Sequence, residues 1–471
     1  MGSRAAASPT TWQVGLAGTD GGRMSVPGCR SEVSVEGAAA PGAPTRGEPF
    51  SSPDAMPTSQ LAGKLAIKSF DSIASIPRAA WERTLPGEPE SWEFYAAVEG
   101  VPPPGFRLGA VAALAGDAIV AVAPLFRTAY RIDTPLQQGR LRQIGDWVHA
   151  RWPRLVSFPV LGIGSPMSDN CALGFAPGLS DADCACVCDG LLTHLAQLAK
   201  ADRSALLAVK SLDRSAEVLD GTLRRHGYQR VTSVPLAMLD LPYRTLDHYL
   251  ASLPAKTGAY FRRKMRSANK VRIEFRSSVA GLEKQIAELF DNTRKQSKVD
   301  YGDFEKLDPQ YFPKVVHGMG DKAQFMLCWQ GDELLSFQLF LVGRDRVLAK
   351  QIGMQYPQGR ELNLYFVNWL KLIEFAIQHR IPSVEMGATT YATKLLFGGY
   401  LERRWLHFRF RSGLWNRVLD PVAPLFDFEK NDPELKKLDA GVKAYMGPRL
   451  SRLAQRGAEG AAAGTHEPEP G

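Results

Sequence analysis

The chain has 471 residues, 45% of them apolar and 23% charged, which is a globular make-up long enough for two or three domains. No stretch approaches the roughly 18 to 20 continuous apolar residues of a membrane span, and the alanine-rich strands at 108 to 126 are interrupted by Gly116-Asp117. A formal charge of +8 favours an anionic partner without naming it.

Residues 1–60 are rich in Gly, Pro, Ser and Ala and lack both apolar periodicity and the apolar centre of a secretory signal. They are expected to form a disordered arm, with Met56 an alternative start, and residues 457–471 a disordered tail. Six cysteines, at 29, 171, 184, 186, 188 and 328, do not make a secreted disulfide framework. Cys184, Cys186 and Cys188 near His194 lack zinc-knuckle spacing. On a helix only Cys184 and Cys188 would share a face, so small buried helix residues are expected there and no metal site.

From 64 to 241 strands and helices alternate. The pattern predicts a helix over 77–83, a hairpin over 108–127, a helix over 183–200, a strand over 206–210, a helix over 215–226 and a strand over 228–241. Residues 137–177 break the pattern. This loop-rich stretch holds Trp147, His149, Trp152 and a Pro159-to-Pro166 run, and is long enough to suggest a contribution to a binding site.

From 245 to 425 the plan repeats. A helix is expected over 246–252, then a basic helix, a strand over 271–276, a helix over 280–298 and a hairpin over 324–342. Between Lys256 and Arg276 there are eight Lys or Arg against one acid, Glu274. Arg262, Arg263 and Arg266 in that run are candidate anion-binding residues, with phosphates, an acidic carrier protein, tRNA or an anionic membrane surface as admissible partners. A solvated face beside a stripe of Phe261, Met265 and Ala268 fits the pattern equally well. Aromatics interleaved with base-reading groups are scarce, which disfavours a dedicated nucleic-acid module.

The most informative stretch follows. Leu348 to Met354 reads as a buried strand, 355–360 as a tight turn, and Leu362, Phe366, Trp369, Ile373 and Ile377 recur at helical spacing over about 361–379. Pro382 ends that helix, and Ser383 to Met386 reads as the next strand, giving a right-handed strand-helix-strand crossover. Ligands in such units sit at strand carboxyl ends, and the turn at Gly359-Arg360 would offer backbone N–H groups and a positive helix terminus to a pyrophosphate; an ordinary turn is the alternative. No His-Glu-x-x-His, Gly-x-Ser-x-Gly or Walker-type loop appears, which argues against metallohydrolase, serine hydrolase and NTPase chemistry.

The segments Glu361-Leu362-Asn363-Leu364-Tyr365-Phe366, Glu385-Met386-Gly387, Tyr391-Ala392-Thr393-Lys394 with Gly398-Gly399, Tyr260 to Arg266, and Ile76 to Trp81 with the hairpin at Gly116-Asp117 carry a resemblance. Over roughly residues 64–425 the chain resembles the GNAT superfamily of acyl-CoA transferases, and within it the BioF2-like, peptidoglycan-biosynthesis-like N-acyltransferases related to Fem aminoacyltransferases. The resemblance implies an α/β fold of mixed sheets with two GNAT-like domains in tandem, here 64–241 and 245–425. It also implies acyl-CoA as donor substrate and no permanently bound cofactor. The family's Arg/Gln-x-x-Gly-x-Gly/Ala loop corresponds here to Gln355 to Arg360 with a single glycine, which leaves an acyl carrier protein or aminoacyl-tRNA donor open.

Transfer from a thioester to an amine needs a proton acceptor for the amine, a dipole on the carbonyl and an acid for the leaving thiolate. Glu385 is the candidate base, with an ion pair to Lys394 or Arg360 the alternative. The resemblance makes Tyr391 the candidate acid, against a packed ring at a helix start. Gln358, Gly359, Arg360, Asn363 and Lys394 are the candidate donor-binding residues, with Tyr365 lining the same cleft; Lys394 as a plain surface lysine is the alternative. The reading that results is a cytoplasmic N-acyltransferase, peripheral at most to the inner membrane face, acting on an amine in envelope, lipid or polysaccharide metabolism. Fem-like aminoacyl transfer from charged tRNA and a non-catalytic module for anionic partners are the alternatives.

Overall fold

The computed structural model describes residues 65–131, 140–152, 157–213, 215–296, 307–419, 427–432 and 434–438. The expected arm and tail, with Cys29, lie outside these residues. Among them no helix is long and apolar enough to cross a membrane.

The first part of the chain runs β1 (Leu65–Phe70), α1 (Arg78–Thr84), α2 (Trp92–Glu99), β2 (Arg107–Ala115), β3 (Ala118–Arg131), α3 (Arg140–Arg151), β4 (Ser157–Ile163), β5 (Gly174–Phe175), α4 (Asp181–Ala201), β6 (Leu206–Leu212), α5 (Ser215–Arg225) and β7 (Gln229–Thr232). Gly116, at φ 63°, closes the β2–β3 hairpin in a conformation that favours glycine. Helix α4 opens on a capping box in which Ser180 and Asp183 each bond the other's backbone N–H. Its apolar stripe Val187, Leu191, Leu192 and Leu195 packs on Leu161, Leu207 and Val209 of the sheet.

The expected loop-rich stretch 137–177 holds helix α3 and a central strand. Strand β4 pairs antiparallel with β3 and parallel with β6. Its run Val160-Leu161-Gly162-Ile163 is buried. Pro159 and Gly162 gave it the look of a loop, whereas a strand covered on both faces reads as a continuous apolar run. The irregular part is the connection from Gly164 to Leu173.

The expected single strand 228–241 is two strands in two sheets. It breaks at Ser233-Val234-Pro235, where proline removes a ladder donor, and β8 (Leu236–Asp240) enters the second sheet. The chain continues through α6 (Leu246–Ser252), α7 (Ala255–Met265), β9 (Arg272–Arg276), α8 (Glu283–Lys295), α9 (Tyr311–Met319), β10 (Ala323–Gln330), β11 (Glu333–Val342) and β12 (Val347–Met354). It ends with α10 (Gln358–Glu361), α11 (Leu364–Gln378), β13 (Ser383–Gly387), α12 (Tyr391–Leu396), β14 (Tyr400–Glu402), β15 (Trp405–Phe410), α13 (Gly413–Leu419) and α14 (Phe428–Asn431).

Two mixed sheets result. One has the order β1-β2-β3-β4-β6-β15-β7 with β5 on β3, and the other β14-β8-β13-β12-β11-β10-β9. Each takes a strand from the far side of the chain: β8 pairs with β13 and β14, while β15 inserts between β6 and β7. The sheets therefore do not divide the chain at 241 to 245. A shared core reinforces the exchange, with Ala110, Ala112 and Val122 of the first sheet packed in one cluster with Phe94, Phe312, Phe325 and Phe337. Helix α11 buries Leu364, Val367, Leu370, Ile373 and Ile377, and its inner face packs with Phe340, Val384 and Met386.

Candidate active site

Strands β12 and β13 are parallel neighbours for only two residue pairs, Val347 with Val384 and Leu348 with Glu385. Beyond them β12 stays with β11 and β13 stays with β8, so the two part and leave a wedge. Each strand carries a bulge where they part. On β12 the partners pass from Ala349 to Gln351, leaving Lys350 as the extra residue; on β13 they pass from Glu385 to Gly387, leaving Met386. A bulge bends its strand and leaves the extra residue outside the ladder, which is why these two strands diverge here.

A cavity of about 470 Å³ opens in the wedge. Ala349 to Ile352 of β12 form one wall and Met386 to Thr390 the other. Tyr365 and Trp369 of α11 lie over it, and it extends to the first sheet at Lys210, Ala208, Phe408 and Phe410.

Its charged lining groups are Asp169, Lys210, Lys350 and Lys394. Lys394 is 3% exposed, and its Nζ donates to the carbonyls of Gly387 at 3.0 Å and Ala388 at 2.5 Å. Burial pushes its pKa down to about 7, against the opposing pull of Asp169, Glu434 and Glu385. A neutral amine spends two N–H donors on those two carbonyls and keeps a lone pair. Lys210 donates to the carbonyls of Ser165, at 2.9 Å, and Ser168, and burial lowers its pKa too. Lys350 is instead held charged: its Nζ meets Glu90 Oε1 at 2.6 Å and the Met167 carbonyl at 2.7 Å, and its pKa is raised despite burial. The Asp169 carboxylate makes no hydrogen bond or ion pair among the described residues.

The turn before α12, to which Lys394 bonds, is strained. Thr389 and Thr390 have φ of 66° and 49°, a left-handed conformation that β-branched residues rarely adopt, one residue beyond Gly387 at 72°. Such strain persists only where surroundings impose it. Here the Tyr365 hydroxyl lies 3.3 Å from Thr390 Oγ1, and Lys394 ties both carbonyls.

The other sequence candidates separate into three places. Glu385, 1% exposed, does not line the cavity; its carboxylate pairs with Arg346 Nε at 2.9 Å and accepts from Asn170 Nδ2 at 3.1 and 3.3 Å. Its partner is thus Arg346, not the expected Lys394 or Arg360. Burial raises its pKa, with Arg346 and Arg404 opposing. Tyr391 is fully buried, and its hydroxyl donates to the Pro235 carbonyl at 3.0 Å, in the joint between β7 and β8. It also does not line the cavity.

The donor-binding candidates form a second group beside the wedge. Gly359 is buried against Met354, and Arg360 lies over the Tyr356 ring and donates to Gln296 Oε1 at 2.8 Å. Gln358 shares the same turn, with its Oε1 buried and unpartnered. Asn363, in a left-handed conformation, accepts from Lys264 Nζ at 2.5 Å and so ties basic helix α7 to the start of α11. Arg262, Arg263 and Arg266 form the third group, exposed on and just after α7. Among the described residues no three His, Cys, Asp or Glu side chains form a metal-binding group. Cys188 is buried on α4, while Cys186 is exposed.

Sequence reasoning missed Asp169, Lys210 and Lys350. The one signal toward Asp169 was the length of the stretch containing it.

Comparison with known proteins bears on this wedge directly. Residues 255–395, which include α7, β12, α11, β13 and Lys394, match the family described as acetyltransferase (GNAT) domain. Proteins from two strains of Mycobacterium tuberculosis that carry the name 8-amino-7-oxononanoate synthase 2 are 27% identical over 263 residues, 53% of this chain. The chain spans about a third of the length of those relatives, 33%. Among solved structures, FemX covers 70% of this chain and 94% of its own at 12% identity and a TM-score of 0.46. A tandem GNAT protein from the clavulanic acid biosynthesis pathway covers 74% and 99% at 12% identity and a TM-score of 0.42. The bulged, splayed strand pair thus falls inside the segment that matches the acetyltransferase (GNAT) domain family.

Proposed function

We propose that the chain transfers an acyl group from acyl-CoA to an amine, with the thioester in the wedge between β12 and β13 and Lys394 as the group that moves the proton. The observation that carries this is the placement of Lys394, a lysine whose burial lowers its pKa to about 7, on the cavity wall where the two strands part. The amine nitrogen attacks the thioester carbonyl, its proton passes to Nζ of Lys394, and the C–S bond breaks. Protonated Lys394 then returns that proton to the thiolate, so one side chain serves both steps. The break in the ladder at Lys350 leaves backbone donors for the developing oxyanion, with the Lys350 charge close by. Asp169 has the charge to hold the acceptor as it arrives as an ammonium, which releases one proton to solvent before the neutral amine attacks. In this reading Glu385 and Tyr391 are positioning residues, while the turn 358–363 and exposed Arg262, Arg263 and Arg266 lie on the side where the phosphates of CoA would rest.

The test is thermal shift and calorimetric titration with CoA, acetyl-CoA and longer acyl-CoAs, followed by transfer assays with an amine panel. A ligand that binds the native state raises its apparent stability. Saturable binding that Lys394→Met leaves intact, with turnover abolished, supports the proposal. Absence of binding to every acyl-CoA removes it and turns attention to a carrier-protein or tRNA donor.

A further inference from the structure

The cavity has a second, apolar half that the chemistry above does not use. In β6 the side chains of Leu206, Ala208 and Lys210 line it, and in β15 those of Leu406, Phe408 and Phe410. Both sets alternate along their strands, so they share one face of the first sheet. The intervening Leu207 and Val209 point the other way, into the cluster with Leu191 and Leu195 of α4. The two rows are adjacent: Ala208 is opposite Phe408 and Leu206 opposite Phe410. They form a straight gutter with the smallest side chain, Ala208, midway along one row.

The gutter is polarised. All four charged lining residues belong to the wedge end, where the Asp169 carboxylate acts on Lys210, Lys350 and Lys394 alike. Beyond Ala208 the lining is Leu206, Phe410, Phe126, Tyr130 and Val160, with no ionised group. Close-packed interiors do not leave recesses of this size, whereas apolar recesses ending in a few convergent polar groups are the usual form of small-molecule sites.

We infer that this gutter holds a linear alkyl chain borne by one of the two substrates, its carbonyl or amine end at Lys394 and its methyl end beneath Phe410. This rests on, and extends, the acyl-transfer reading. From Lys210 to Leu206 the strand advances about 13 Å at about 3.3 Å per residue. An extended chain with C–C bonds of about 1.5 Å gains about 1.3 Å per methylene, so the gutter takes about ten carbons. The donor's acyl group and an alkyl chain on the acceptor are chemically the same here. A chain ending in a carboxylate is disfavoured, because among the described residues lining the far end none carries a positive charge.

The experiment measures binding and transfer for acetyl-, butyryl-, hexanoyl-, decanoyl- and palmitoyl-CoA, and in parallel for ethylamine, hexylamine and decylamine as acceptors. Wild type is compared with Ala208→Phe and Val160→Phe, which obstruct the gutter midway and near its end. Each methylene is expected to tighten binding about threefold to fourfold up to about ten carbons, in whichever series supplies the chain. Ala208→Phe should erase that gain beyond short chains, and Val160→Phe only its last part, with acetyl-CoA handled as by wild type. An ω-carboxydecanoyl-CoA should bind at least tenfold more weakly than decanoyl-CoA.

If acetyl-CoA binds and turns over while both series are flat with chain length, the gutter inference is overturned and the acyl-transfer reading stands. If no acyl-CoA binds, the acyl-transfer reading fails. Thermal shift with decanoate and decylamine then decides the gutter separately: stabilisation lost in folded Ala208→Phe supports it, and no stabilisation overturns it.

Discussion

Lys350 and Met386 are each the extra residue of a β-bulge, and they line the same cavity from the two strands that separate there. Neither bulge alone would open a site. Parallel strands that kept their register would hold Ala349 against Met386 and close the wedge. The extra residue in each strand lets β12 continue along β11 while β13 bends toward β8. The pocket is therefore a consequence of backbone register, and the side chains only furnish it.

Lys394 is expected to set the pH dependence. With its folded pKa near 7, it is a neutral acceptor above that value, so kcat/KM for acyl transfer should rise through about pH 7 and then level. Lys394→Arg stays charged at every accessible pH and should lose that limb together with at least about a hundredfold in rate. The stability effect has a definite sign. An unfolded lysine titrates near 10.4, so between about pH 7 and 10.4 the unfolded state binds more protons and stability rises with pH. Lys394→Met removes that pH dependence but also the two hydrogen bonds to the Gly387 and Ala388 carbonyls, so its stability relative to wild type should fall steadily as pH rises from about 7 toward 10. A wild-type rate profile in Lys394→Arg would end the assignment.

Glu385→Gln should unfold the protein more than it slows it. The carboxylate is buried against Arg346 and Asn170; neutralising it relieves a burial cost but leaves Arg346 with Glu88 as its remaining carboxylate and Asn170 facing an amide, for a net loss of about 1 to 2 kcal/mol. Urea melts should show the loss as a lower midpoint at constant slope, while kcat of the folded fraction at low temperature stays within about tenfold. The reverse pattern, an unchanged midpoint with kcat down a thousandfold, would restore Glu385 as the base.

The strand-helix-strand unit around the wedge was legible in sequence because its signals are local. Leu364 to Ile377 repeat at helical spacing, Pro382 marks the end of α11, and Ser383 to Gly387 follow as a strand. What the sequence hid is long-range. Strand β15 pairs with β6 and β7 from the other part of the chain, and no periodicity in Trp405–Phe410 announces that partner. Asp169 and Lys210 reach the cavity from the first sheet, and Lys350 looked like one residue of a buried strand because a bulge has no sequence signature. Glu385 lies on β13 and Tyr391 at the start of α12, but strand direction alone does not say which face their side chains take.

Tyr391→Phe tests whether a hydroxyl is needed for the leaving group. That hydroxyl donates to Pro235, at the crossing from β7 to β8, and its loss should cost about 1 to 2 kcal/mol with the carbonyl left buried. Transfer rates to amines should stay within about threefold of wild type, at every pH. A descending alkaline limb in wild type that Tyr391→Phe abolishes together with most of the rate, in a variant that melts normally, would make Tyr391 the acid after all.

The basic helix should act through its field. Arg262, Arg263 and Arg266 are exposed on and beside α7, which Lys264 and Asn363 fasten to the start of α11. Surface charges attract an anionic donor over about one Debye length, about 10 Å at 0.1 M salt and far less at 1 M. Replacing all three by Gln should therefore raise KM for acyl-CoA several-fold at low ionic strength, leave kcat unchanged, and have almost no effect at 1 M salt. Their exposure also means that stability should move by less than about 1 kcal/mol. Should KM rise equally at both salt concentrations, the arginines touch the donor directly, and the phosphate site belongs on α7 instead of the turn at Gly359.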